Sequence, residues 1–193
     1  MLYKRTNFLQ KLYIIACQLG DAGCAVLLGG LGQNVVLKEI DLGGNSFGDE
    51  ACSALASLLR ENETLEVFRM DSCVASSDAL TDVVDALRSN RRLRHFHLQP
   101  EHIEEYTQEL GREVLRMLEA NHSLEYFFLP CALPDFRKHC TLYLRLNYLG
   151  RGEILRSSSV GESRDSAFEA LLRCSNDLDC ITYILRLSAP ALF

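Results

Sequence analysis

The chain has 193 residues, 48% hydrophobic and 24% charged, a balance that excludes a disordered or fibrous polypeptide and allows a real core. A formal net charge of −6 argues against nucleic acid as a partner, because phosphate binding needs a positive footprint. No stretch approaches the ~20 apolar residues that span a bilayer, so direct membrane insertion is not expected. MLYKRTNFLQKLYII also lacks the apolar core and cleavage site of a secretory leader. An intracellular protein is expected, cytoplasmic by default, with an organelle left open if a targeting peptide has been removed.

Self-similarity organises the rest. Leu9 opens LQKLYIIACQLGDAGCAVLLGGLGQNVV, and the pattern restarts at Leu37 and again at Leu65, 28 residues apart each time. The fourth unit starts at Leu93 and is three residues longer, with an insertion near Pro100–Tyr106 and no Gly–Asp turn. A fifth strand starts at Leu124, LEYFFLPCALPDF. Within each unit an LxxLxL stretch predicts a short strand with alternate apolar side chains turned inward. Leu12, Ile40, Phe68, Phe96 and Phe127 share one such position. Cys17, Asn45 and Cys73 share the ninth, where a small residue tolerates the turn out of the strand.

Gly20–Asp21, Gly48–Asp49 and Ser76–Ser77 predict a turn followed by a helix N-cap. Helices then follow at 3.6-residue spacing, through Cys24 and Leu28, Cys52 and Leu55, Leu80 and Val84, Leu110 and Val114. Asn34, Asn62, Asn90 and Asn121 each stand three residues before a restart, and are expected to end the helices in the left-handed conformation asparagine accepts. No unit can bury both its strand and its helix faces alone, so the units must stack.

L-x-x-L-x-L-x-x-N/C, an x-G-D-x-G/A turn and A-x-x-L-x-x-L-x-x-N together resemble the ribonuclease-inhibitor-type leucine-rich repeats. The resemblance covers residues 9–135. It implies an α/β leucine-rich-repeat solenoid of about five strand–helix repeats, with a parallel concave sheet and convex helices. It also implies a binding module, an inhibitor or a scaffold. Residues 136–193 are expected to form a helical C-terminal capping region. KHCTLYLRLNYLG, AFEALLRC and DLDCITYILRL read as helices, and RSSSVGESRDS as an unmodified polar loop. The stretch from about 140 to 193 resembles tails of leucine-rich-repeat proteins of single-celled algae. At the other end, nothing in MLYKRTNF covers the apolar LYIIA edge, so upstream repeats or a partner are expected there.

The outward strand positions predict the contact surface. Lys38, Glu66, Arg94 and Glu125 alternate in sign and read as a self-satisfied ladder, each pair worth about 0.2–1 kcal/mol. Two other columns carry interface-type residues: Lys11, Glu39, Val67, His95, Tyr126 and Tyr13, Asp41, Arg69, His97, Phe128. Tyr13, Ile15, Asp41, Arg69, His97, Tyr126 and Phe128 form the candidate partner-binding set; the alternative is a face that is merely solvated or packed against the chain's own tail.

Chemistry is thin. His95 and His97 at i and i+2 could face a metal with His102, Glu101 or Glu104, but two histidines and unplaced carboxylates make a weak ligand set. No GxxxxGK[ST], GxSxG or GxGxxG occurs, so no enzyme, cofactor or small-molecule substrate is expected. Cys17 and Cys73 lie two units apart, roughly twice 4.8 Å and too far for a disulfide, and Cys24 and Cys52 lie on adjacent helices; buried thiols in a reducing compartment fit. The expected function is a protein–protein interaction module, a scaffolding or accessory subunit of a larger assembly binding through its concave face and open N-terminal edge. The alternative is a regulatory inhibitor that occludes a partner enzyme's site.

Overall fold

A computed structural model describes residues 8–101, 107–129 and 136–151. Five strands alternate with five helices: β1 (Lys11–Tyr13), α1 (Gly20–Gly30), β2 (Glu39–Asp41), α2 (Asp49–Glu61), β3 (Val67–Cys73), α3 (Ser77–Ser89), β4 (His95–Pro100), α4 (Gln108–Ala120), β5 (Tyr126–Phe128) and α5 (Phe136–Tyr148). The strands form one parallel sheet in chain order. Its register is the sequence repeat: Leu12 pairs with Ile40, Ile40 with Phe68, Phe68 with Phe96 and Phe96 with Phe127. The expected leucine-rich-repeat solenoid is the fold observed.

The core lies between the sheet and the helix row. Ile40, Phe68 and Phe96 are fully buried, and each such side chain contributes on the order of 1.5–3 kcal/mol. Their rings stack along the sheet, Phe68 on Phe96 at 5.8 Å and Phe96 on Phe127 at 5.5 Å. Cys24, Cys52, Cys73 and Cys140 are buried thiols, whereas Cys17 is exposed. A hydrogen bond with Cys73 and burial push the Cys52 thiol far above its ordinary range, so it is an inert core group.

Two expectations about helix ends are corrected. Asn62, Asn90 and Asn121 occupy C-cap positions, but their backbones are extended, with ψ of 126°, 132° and 125°; α1 ends instead at Leu31, so Asn34 is no C-cap. Asparagine is there for its side chain. Asn90 Oδ1 accepts from the Arg92 and Leu93 N–H groups at 2.9 and 2.8 Å, while its Nδ2 donates to the Leu59 carbonyl of the preceding unit at 2.8 Å. The left-handed residues stand elsewhere: Ala16, Gly44 and Ser72 at the eighth position, Gln18 and Ser46 at the tenth. They flank the ninth, where the buried Asn45 accepts from Cys17 N–H at 2.9 Å and donates to the Ile14 carbonyl at 2.6 Å.

The second correction concerns N-caps. Asp21 does not cap its own helix; its carboxylate accepts from Gly48, Glu50 and Ala51 N–H at 2.7–3.1 Å, and so caps α2 of the next unit. Asp49 likewise accepts from Ser76 N–H at 2.7 Å, and Ser77 Oγ from Thr107 N–H at 3.3 Å. Stacking places each helix start one unit away from the side chain that satisfies it. Only Ser76 and Thr107 cap in the expected local manner, on Ala79 and Leu110.

At the far end α5 packs on α4. Asn147 Nδ2 donates to the Asn121 and Leu124 carbonyls at 3.0 and 2.8 Å. Arg151, 1% exposed, donates to the Leu118 and Asn121 carbonyls at 2.7 and 2.6 Å. The insertion at 102–106, the stretch 130–135 and the loop and helices expected over 152–193 lie outside the described residues. No helix of the described residues is long and apolar enough to cross a membrane.

Candidate functional site

Strand alternation turns the residues between the core positions onto the open face of the sheet, and the parallel register aligns them in columns. One column is Lys11, Glu39, Val67, His95, Tyr126, and the other Tyr13, Asp41, Arg69, His97, Phe128. Neighbouring strands lie about 4.8 Å apart, so a side chain meets its partner one unit away in sequence.

The centre of this face is charged and internally paired. Glu39 takes Lys11 at 2.8 Å and Arg69 at 2.5 Å. Those two cations, Lys11 first, hold its carboxyl at about 2, against the opposing effect of burial. Lys38 pairs with Glu66 at 3.2 Å and Arg94 with Glu125, two by two along the second-position column. Asp41 Oδ1 accepts from Gly43 N–H at 3.0 Å, tying that carboxylate to its own turn.

Aromatic rings gather toward β5. His97 lies flat on Phe128 at 4.7 Å and near-parallel to Tyr126 at 6.2 Å. Its Nε2 stands 3.2 Å from Asp71 Oδ1 and its Nδ1 3.3 Å from the Tyr126 hydroxyl. With Asp71 accepting from Nε2–H, the Nδ1 lone pair is left to accept from Tyr126. His95 stacks on the other side of Tyr126 at 6.0 Å. Arg69, His95, His97 and Tyr126 line an open hollow of about 210 Å³.

Of the seven candidate residues, Arg69, His97, Tyr126 and Phe128 come together. Tyr13 on β1 and Ile15 just after it are exposed at the opposite edge, three strand spacings or about 14 Å from β4. Asp41 lies between the groups and is half-buried. Sequence reasoning passed over Glu39 and His95, visible as column members, and Asp71, two residues beyond Arg69 on the same strand face. Among the described residues no three His, Cys, Asp or Glu side chains gather in a metal-binding group; His102 and Glu104 lie outside them.

The architecture defines the class, a β/α leucine-rich-repeat solenoid. Solved structures with the same fold include the C-terminal domain of a Caenorhabditis elegans tropomodulin, with a TM-score of 0.66 at 14% identity over 81% of this chain and 92% of that one. They also include leiomodin-1 actin-binding site 2, with a TM-score of 0.66 at 21% identity over 79% of this chain and 88% of that one. At these identities the likeness establishes the fold. No protein-family model matches the sequence, and no curated protein matches it.

These neighbours correct the ribonuclease-inhibitor resemblance: the similar structures are tropomodulin and leiomodin domains, not ribonuclease-inhibitor-type repeats specifically. The physical reason is that LxxLxL followed by an amphipathic helix is what stacking demands of any unit of this length, so the motif marks the architecture rather than a lineage. The algal likeness of the tail falls largely on residues outside those described.

Proposed function

We propose that the chain is a protein-binding module, an accessory subunit whose contact surface is the concave strand face and whose second surface is the open β1 edge. The observation that carries this is the ring cluster of His97, Tyr126 and Phe128 beside Arg69, with Tyr126 and Phe128 exposed. Stacked, two-torsion aromatic side chains lose little entropy on docking and anchor interfaces well. The like fold titled leiomodin-1 actin-binding site 2 supports a protein partner and makes actin the first to try. The accessory role is favoured over enzyme occlusion because the charges at the centre are paired, so the described concave face offers no extended acidic surface to a basic active site.

Affinity purification tests this with three forms of the chain: unaltered, Tyr126→Ala with Phe128→Ala on the concave face, and Arg112→Glu with Arg116→Glu on the convex helices. A partner lost only with the ring substitutions is the expected result. Retention of the same partner by the ring variant would overturn the proposal. Co-sedimentation of the three forms with purified actin applies the same comparison to a defined partner.

A further inference from the structure

The helix-end asparagines send their amide bonds toward lower residue numbers, and among the described residues the first unit lacks its share. Asn62, Asn90 and Asn121 each send Nδ2 into the preceding unit, to the Asn34, Leu59 and Leu87 carbonyls. Asn34 uses only its Oδ1, on Val36 and Leu37 N–H, and its Nδ2 has no partner among the described residues. α2 starts against Asp21 of the unit before it, whereas among the described residues α1 has no such acceptor from a preceding unit; at its N-cap, Leu19 N–H donates to Asn45 Oδ1 of the following unit at 3.3 Å. β1 uses the Gln10 carbonyl and the Ile14 N–H on the β2 side, so alternation turns the main-chain groups of Lys11 and Tyr13 to the open side.

The side chains agree. α2, α3 and α4 carry acidic and basic residues on their outward faces, while GDAGCAVLLGG of α1 has Asp21 as its one charge, and that charge is engaged on α2. A helix that is apolar all round is built to be covered. Val26 is 77% exposed, Val35 76% and Phe8 89%, the most open large apolar side chains of the described residues.

We infer that this end is the acceptor for one further strand–turn–helix unit carried by another polypeptide, its strand parallel to β1 and its helix against α1. Three needs specify the unit. It brings a strand edge for Lys11 and Tyr13, a main-chain carbonyl after its helix for the Asn34 amide, and an Asp, Ser or Thr at its helix start to cap α1. A second copy around a two-fold axis sets β1 against β1 antiparallel and meets only the first need. A second copy docked head to tail is opposed by Asn147 and Arg151, which already hold the Asn121 carbonyl at the other end. This surface rests on the protein-binding reading but not on the concave face.

The test inserts a copy of residues 37–64 between Phe8 and Leu9 of the full chain. The copied Asp49 then stands to α1 as Asp21 stands to α2. The expected result is a monomer whose thermal midpoint rises by about 5 °C or more, since each stacked neighbour adds an interface. Asn34→Asp keeps the acceptor and removes the donor; it is expected to lower the midpoint by roughly 3 °C more in the extended chain than in the parent. A photo-crosslinking residue at position 26 is expected to form an adduct with a different protein in cells expressing the parent, and none in those expressing the extended chain. An unchanged midpoint, equal Asn34→Asp shifts, no adduct, or an adduct of two copies would each overturn the inference. The insertion leaves Tyr126 and Phe128 untouched, so failure here and failure of the concave-face reading are read separately.

Discussion

The two ends of the solenoid are built from the same repeat and finish differently. After β5, α5 returns Asn147 and Arg151 to the last strand and helix, and the carbonyls of Leu118, Asn121 and Leu124 are all taken. Before β1, the equivalent Nδ2 of Asn34 meets no carbonyl of the described residues, and the start of α1 meets only Asn45 of the following unit, at the Leu19 N–H. The difference teaches that the stacking bonds are directional. The helix-end asparagines and Arg151 reach back toward lower residue numbers for carbonyls, while Asp21, Asp49 and Ser77 reach forward to the next helix start. A C-terminal end can therefore be closed by one helix with the right Asn and Arg, whereas an N-terminal end needs a unit that supplies carbonyls, a strand edge and a cap.

The sharpest way to break that contrast is to open the closed end. Arg151→Ala removes buried donor bonds to three carbonyls and is expected to cost about 3 kcal/mol in urea unfolding; a loss below about 1 kcal/mol would mean that α5 closes the stack by apolar contact alone. Comparing Asn121→Ala with Asn34→Ala comes next. Asn121 makes bonds both to its own chain and to the preceding unit, so its loss is expected to cost about 2–3 kcal/mol, against about 1 kcal/mol at Asn34. Equal costs would refute the directional reading.

Gly48→Ala probes the forward-reaching caps. A Cβ there would come 2.6 Å from Asp21 Oδ2, a carboxylate held by three N–H groups, so the cap must break or α2 must shift. A loss of about 1–2 kcal/mol is expected by thermal melt, with little further loss when Asp21→Ala is added, because both changes remove the same cap.

The smallest effect is on the concave face. Glu39 is held at about 2 by Lys11 and Arg69, below its usual 4.5. A depressed carboxylate adds stability that is fully present above pH 4.5 and is lost as pH falls through about 2. Glu39→Gln is expected to flatten that acid limb by lowering neutral-pH stability toward its low-pH value, a loss of no more than about 1 kcal/mol because the two cations are largely exposed. An unaltered acid limb would mean that Glu39 is not held by its two cations.

Much of the architecture was legible before any coordinates. Leucines 28 residues apart predicted the register Leu12–Ile40–Phe68–Phe96 and aligned Arg69 with His97, and the three extra residues of the fourth unit put Phe128 in the same column. The asparagines were found by position but not by role, since their spacing does not tell a left-handed backbone from a side chain that bridges two units. Nothing local in the sequence distinguishes Arg151 from an exposed arginine until α5 lays it on the Asn121 carbonyl.

The sequence by itself determined the fold class, the strand register and which residues face the open side of the sheet. Those follow from periodicity, and periodicity is a property of one chain read in one dimension. The tertiary structure alone decided which side chains satisfy which backbone groups. Those bonds join atoms of successive units, and their direction appears only once the units are stacked. Among the described residues they close one end of the solenoid and leave the other with the Asn34 amide, a strand edge and an apolar helix unmet.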